Sequence, residues 1–149
     1  TMTYRTILST AVGAVLCGAL FTSADAAEYM IVDDTIPASL TGKAGDAVAG
    51  KKLAVHRKKG NCLACHVMPI PEEQFHGEIG PSLKGVASRL TEGQVRLRIV
   101  DPKYFNRDTI MPAFYKNTGF TRVMKKFKGK SMLSAAQIED LVAYTMTLK

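Results

Sequence analysis

Long hydrophobic runs, cysteine and acidic side chains are all scarce in this sequence. It has 3 cysteines in 149 residues, and its 13 acidic side chains are outnumbered by 20 lysines and arginines, which gives a net charge of +7. After residue 26 no stretch approaches the roughly 20 consecutive apolar residues that a membrane-spanning helix needs. No segment alternates convincingly between apolar and polar residues as a half-buried strand does, and there are no repeats. We therefore expect a small all-α protein without a permanent membrane anchor.

Residues 1–26 have the pattern of a secretory signal peptide. Arg5 precedes an apolar run from residue 7 to residue 21, and Ala24-Asp25-Ala26 is a small-residue cleavage site. The run is shorter than a spanning helix, so a permanent anchor is the weaker interpretation. Cleavage after Ala26 would leave residues 27–149, enough for one small domain, in an exported protein of a bacterial periplasm.

The motif that carries chemistry is Cys62-Leu63-Ala64-Cys65-His66. Two thiols three positions apart can form thioethers with the two vinyl groups of one porphyrin, and the spacing C-x-x-C-H is typical of c-type haem attachment. The histidine after the second cysteine is then placed under the iron as an axial ligand. The motif predicts one covalently attached haem c, with Cys62 and Cys65 as anchors and His66 as an iron ligand.

A C-x-x-C pair can also be half of a zinc site, a redox dithiol or a disulfide. Zinc would need a second Cys/His pair at similar spacing. The third cysteine, Cys17, lies in the segment that we expect to be removed, and His56 and His76 stand alone. A disulfide across three positions would stabilise the chain little. Haem is therefore the interpretation that we favour.

Helix-capping residues predict a helix over residues 46–59, a second over 91–100 and a last one that begins at Ser134. We also expect a short helix over residues 82–89. Residues 27–45 are expected to form an extended arm, and long loops join the helices. So much loop leaves a thin core, which a buried porphyrin would complete, and the chain without haem should fold poorly.

An electron-transfer haem usually has a second axial ligand. The candidates are Met68, Met111, Met124, Met132, His56 and His76. Met111 is the first choice, because it lies in an irregular loop that can fold over the haem face opposite His66. Met124, in the basic loop, is the main alternative. Met68 is too close to His66 to reach the other face, Met132 is expected in the core, and the histidines are expected to be ordinary surface or hydrogen-bonded side chains.

The excess of positive charge bears on the choice of partners. Nucleic acid is not expected as a partner of an exported protein. A basic surface that steers an acidic redox partner is one interpretation, and a solvated loop kept soluble by its charge is the other. The densest cluster consists of Arg122, Lys125, Lys126, Lys128 and Lys130.

Taken together, residues 46–149 resemble class I cytochrome c. The matching blocks are the first helix around Gly50, the haem motif, Gly80-Pro81-Ser82-Leu83-Lys84-Gly85 and the last helix from Ile138 to Tyr144. The resemblance implies a small fold of helices and long loops around one covalently bound haem. It also implies that the Pro81 carbonyl accepts the ring N–H of His66 and orients it, and that the terminal helices cross at Gly50. The sequence departs from the family at Ala54, where an aromatic residue is common.

A narrower resemblance is to the SoxX family, the small monohaem subunits of thiosulfate-oxidising SoxXA cytochrome complexes. Residues 75–87, 99–102 and 110–115 carry it. The resemblance implies a SoxA-like subunit as a stable partner, a SoxYZ-like carrier as a transient one and a downstream cytochrome that accepts electrons. It also implies that the complex couples thiosulfate oxidatively to a carrier cysteine, as an L-cysteine S-thiosulfotransferase, while this chain relays the electrons.

Two other functions remain open from the sequence. One is a free-standing periplasmic cytochrome that shuttles electrons and has no sulfur substrate. The other is a haem sensor with a vacant iron position, against which Met111 argues. No residues of the chain resemble a catalytic centre, so we expect this chain alone to carry electrons rather than to act as an enzyme.

Overall fold

Three α-helices carry the fold: α1 (Ala47–Val55), α2 (Glu92–Val100) and α3 (Ala135–Thr145). The computed structural model describes residues 28–149, in which there is no β-strand and no helix long and apolar enough to cross a membrane. Single 3₁₀ turns occur at Cys62–Ala64, Val86–Ser88, Pro102–Tyr104 and Lys125–Phe127. The prediction of an all-α fold is confirmed. The predicted signal peptide, residues 1–26, lies outside the described residues.

The starts of α2 and α3 are fixed by reciprocal capping boxes, as the sequence predicts. At the start of α2, the Gln94 N–H donates to Thr91 Oγ1 at 3.3 Å, and the Thr91 N–H donates to Gln94 Oε1 at 2.9 Å. Ser134 and Gln137 form the same pair of hydrogen bonds at α3. Each box satisfies two backbone groups that a helix terminus leaves without partners.

Two predicted helices are shorter than expected. α1 ends at Val55 rather than near residue 59, because the imidazole of His56 accepts the backbone N–H of Lys58 and so replaces a helical hydrogen bond. The helix expected over residues 82–89 is a single 3₁₀ turn, because Gly85 takes a left-handed conformation with φ of 68° directly before it.

α1 and α3 cross in close contact at Gly50, the crossing that the family resemblance implies. A Cβ atom on Gly50 would lie 1.9 Å from the backbone oxygen of Asp140 and 2.8 Å from the Cβ of Tyr144. The carboxylate of Asp140 also accepts the backbone N–H of Asp46 at 2.8 Å, next to the start of α1. Only glycine allows the two backbones to approach this closely.

A buried ion pair anchors the non-helical residues 28–45 onto α2 and α3. Arg96 donates from Nε and Nη2 to the two carboxylate oxygens of Glu139, at 2.8 and 2.9 Å. Arg96 also donates to the carbonyl of Ile36 at 2.8 Å, and Glu139 accepts the N–H of Leu40 at 2.9 Å. Both charged side chains are almost fully buried, so their pairing is what makes their burial tolerable.

We expect Arg96→Met to lower the free energy of unfolding by about 3–5 kcal/mol, because it leaves the Glu139 carboxylate buried without its partner. Chemical denaturation of the haem-loaded protein measures this. Lys51→Met is the matched control, since it removes an exposed ion pair with Glu72 and should have little effect. Equal losses in the two variants would contradict a stabilising role for the buried pair.

Candidate functional site

A cavity of about 1100 Å³ lies between α2, α3 and the loops that follow α1 and α2. Its walls are mostly apolar, and they include Met68, Leu83, Val95, Ile99, Phe114 and Leu141. All five site residues predicted from the sequence line it: Cys62, Cys65, His66, Pro81 and Met111. The fold therefore brings together residues that are up to 49 positions apart, from Cys62 to Met111.

The haem motif forms a tight turn on the wall of this cavity. The 3₁₀ turn Cys62–Ala64 follows Asn61, which takes a left-handed conformation with φ of 50°. The carbonyl of Cys62 accepts the N–H groups of Cys65 at 3.1 Å and of His66 at 2.9 Å. Neither of these cysteines is in a disulfide. Burial raises the pKa of the Cys62 thiol to about 11, which keeps it protonated at neutral pH.

The ring of His66 is held from one side by the backbone of the following loop. Its Nδ1 lies 2.7 Å from the carbonyl oxygen of Pro81. Because a carbonyl can only accept, Nδ1 is the donor in this contact, and in the neutral ring Nε2 is the nitrogen left with a lone pair. Gly80 packs against the ring so closely that a Cβ there would lie 2.4 Å from His66 Cε1. This is the second-sphere arrangement that fixes the tautomer of a metal-binding histidine.

The methionines divide clearly by position. Met68, Met111 and Met132 all line the cavity, and Met111 is partly buried. Met124, the main alternative from the sequence, is 66% exposed and is not part of the cavity wall. The expectation that Met132 belongs to the core is wrong: it lies before α3 begins, at the edge of the cavity, and is 37% exposed.

His56 and His76 both hydrogen-bond to the backbone, and neither lines the cavity. Nδ1 of His56 accepts the N–H of Lys58. Nδ1 of His76 accepts the N–H of Met68 at 3.1 Å, and its Nε2 lies 3.0 Å from the Glu73 carbonyl. These contacts give both rings structural roles.

The charged side chains on the cavity wall are all basic. They are Arg57, Lys58, Lys59, Arg89, Arg98 and Lys126. Arg89 is engaged with the carbonyls of Ser82 and Lys84, whereas the guanidinium of Arg98 lies 4.1 Å above the ring of Phe105. Burial lowers the pKa of Arg98 from its usual value. Neither arginine was predicted as a site residue, although Arg98 stands beside the apolar positions of α2.

These features fit a porphyrin better than a bare metal ion. An apolar cavity with basic side chains in its wall suits a flat apolar ring that carries carboxylate groups. The thiols of Cys62 and Cys65 and the free Nε2 of His66 are suitable anchors and an iron ligand. Within residues 28–149 no group of three or more His, Cys, Asp or Glu side chains is placed to hold a metal ion.

Comparisons with known proteins agree with this site. The family model for cytochrome c matches residues 47–149. Among solved structures, the crystal structure of SoxXA from P. pantotrophus is similar, with 40% sequence identity and a TM-score of 0.74. The match covers 82% of this chain and 95% of that chain. No curated protein matches the sequence.

Proposed function

This chain belongs to the cytochrome c family, and from that membership we propose that it is the electron-transferring subunit of a periplasmic SoxXA-like complex that couples thiosulfate to a carrier-protein cysteine. It is a SoxX-like class I cytochrome with one covalently attached haem c. The observation that carries the proposal is the 40% identity to SoxXA over 82% of the chain.

The residues of the cavity wall have distinct roles in this proposal. Cys62 and Cys65 would anchor the haem, and His66 would bind its iron through Nε2, with its ring oriented by the Pro81 carbonyl at 2.7 Å. Met111 would be the second ligand of the iron. When bound, the haem iron takes up and releases one electron at a time. The apolar walls exclude water from the metal, and a thioether ligand favours the reduced iron and so raises the potential.

In this proposal the coupling of thiosulfate takes place on the SoxA-like partner subunit rather than on this chain. In that reaction a sulfur–sulfur bond forms between the outer sulfur of thiosulfate and a cysteine thiolate of a SoxYZ-like carrier, and two electrons are released. His66 and Met111 would both be used to hold the haem iron, so thiosulfate is not expected to bind to the iron of this chain. The bond would form on a SoxA-like subunit, and this chain would pass the electrons in two single steps to a downstream cytochrome.

The same proposal includes the cellular location of the protein and the boundaries of its segments. A signal peptide over residues 1–26 would direct export and be removed. The arm of residues 27–45 and the cytochrome domain of residues 46–149 would then form the mature protein in the periplasm, without a permanent membrane anchor and without nucleic acid as a partner.

Native mass spectrometry of the chain, tagged and purified from the periplasm of thiosulfate-grown source cells, tests the proposal. We expect one chain that begins at residue 27 and carries one haem, in a stable complex with a second haem protein. A lone chain with one haem would contradict the complex and favour a free electron shuttle. A mass that retains residues 1–26 would contradict cleavage.

A further inference from the structure

The loop that carries Met111 is closed at its base. It leaves α2 at Asp101 and returns at Lys116. The N–H of Phe114 donates to the carbonyl of Ile99 at 3.1 Å, and the N–H of Lys116 donates to the carbonyl of Val100 at 3.3 Å. We call this junction the neck. Because both carbonyls belong to the last turn of α2, the neck fixes where the loop begins and ends.

An ion pair lies across the neck. Lys116 Nζ donates to Asp101 Oδ2 at 2.6 Å, and Asp101 is only 4% exposed. The other oxygen, Asp101 Oδ1, is buried and has no hydrogen-bond partner. Asp101 is thus a buried carboxylate whose ion-pair partner, Lys116, is itself 34% exposed. Removal of Lys116 leaves the carboxylate buried without that partner, which is more costly than replacement of both residues.

A second lysine, Lys103, makes two hydrogen bonds within the loop. Lys103 Nζ donates to the carbonyl of Thr109 at 2.9 Å and to that of Arg107 at 3.2 Å. The hydroxyl oxygen of Thr109 accepts the N–H of Met111 at 3.2 Å. The backbone at Met111 is thus linked through two hydrogen bonds to the first turn after the neck, so a movement of the neck reaches the methionine.

We propose that Asp101 and Lys116 are positioning residues for the axial ligand: their ion pair keeps the neck closed and so keeps Met111 on the iron. Without Lys116, the buried carboxylate is stabilised by water entering the neck, and the loop opens. This inference rests on the proposed role of Met111. A general stabilising role of this ion pair would leave access to the iron unchanged in the folded protein. The positioning role predicts that loss of the pair increases that access.

Cyanide binding to the oxidised, haem-loaded protein tests the inference, since cyanide binds only when Met111 has left the iron. If Lys116→Met raises the open population from about 1% to about 10%, the apparent affinity for cyanide rises about tenfold. The weak far-red absorption band of the iron–thioether bond should fall by only about a tenth, because the closed population falls from about 99% to about 90%. Lys128→Met, which removes the same charge from an exposed position, is the control and should resemble the wild type.

The double variant Asp101→Leu/Lys116→Met tests the physical cause. It removes the buried charge as well as its partner, so the neck should close again and cyanide affinity should return toward the wild-type value. A double variant as open as Lys116→Met would overturn the inference. If Lys116→Met yields no folded protein, Lys116→Gln replaces it and must still bind cyanide more tightly than Lys128→Met.

Met111→Ala, measured in parallel, separates this inference from the proposed function. It should bind cyanide more tightly than every other variant. Wild-type affinity in Met111→Ala would show that Met111 is not the ligand. Tight binding in Met111→Ala, together with equal affinities in Lys116→Met and Lys128→Met, would overturn the role of the neck alone.

Discussion

The haem-free variant Cys62→Ala/Cys65→Ala should not fold. The cavity of about 1100 Å³ is lined by apolar side chains that otherwise form much of the core. Without the porphyrin these apolar side chains lose their packing partner and face water, which is unfavourable in proportion to the apolar area exposed. A small domain has only about 5–15 kcal/mol of net stability to lose. Far-ultraviolet circular dichroism and amide hydrogen exchange should show little helix and no slowly exchanging amides.

Addition of free haemin to this variant is the matched control. The alanines leave His66, Met111 and the apolar walls intact, so haemin should bind without covalent bonds and restore helix. That result would show that the missing porphyrin, rather than the two substitutions, prevents folding. Native-like hydrogen-exchange protection in the haem-free variant would contradict the prediction.

Met111→Ala should open the sixth position of the iron and lower its reduction potential. The thioether prefers the ferrous state, so its removal should lower the potential by on the order of 0.1 V, a fraction of the range over which axial ligands set haem potentials. The reduced variant should also bind carbon monoxide, which the wild type should not. Redox titration and visible spectroscopy measure both effects.

Met124→Ala is the control for this experiment. Met124 is exposed and lies outside the cavity wall, so its replacement should change neither the potential nor the spectrum. An unchanged visible spectrum in Met111→Ala would contradict its assignment as a ligand. Ready binding of carbon monoxide by the reduced wild type would indicate a vacant iron position and favour a ligand-binding cytochrome.

Features that depend on neighbouring residues could be predicted from the sequence. The capping boxes at Thr91 and Ser134 act across three residues, and both helices begin where they predict. The haem motif is equally local, because one tight turn holds both thiols and the histidine. The expected hydrogen bond between His66 and Pro81 is also present, although it came from the family resemblance rather than from spacing.

Features that depend on distant contacts could not be predicted from the residues alone, although the family resemblance implied the crossing at Gly50. Nothing near Arg96 in the sequence indicates that Glu139, 43 positions away, completes its ion pair. The early end of α1 is a local feature that was also not predicted, because it depends on the His56 ring accepting the N–H of Lys58, two positions away. The sequence favours Met111 over Met124 only because of the kind of loop in which each lies. The structure adds that Met111 lines the cavity and Met124 does not.

The contacts between the two ends of the described chain have a consequence for how the protein matures. The backbone N–H groups of Leu40 and Asp46 donate hydrogen bonds to the carboxylates of Glu139 and Asp140, respectively, on α3. Helix α1 crosses the same helix at Gly50. During synthesis α1 therefore lacks its packing partner until the last residues have been added. Because the complete chain should also remain unfolded without haem, the two thiols of the haem motif stay accessible to an attachment enzyme until the haem is bound.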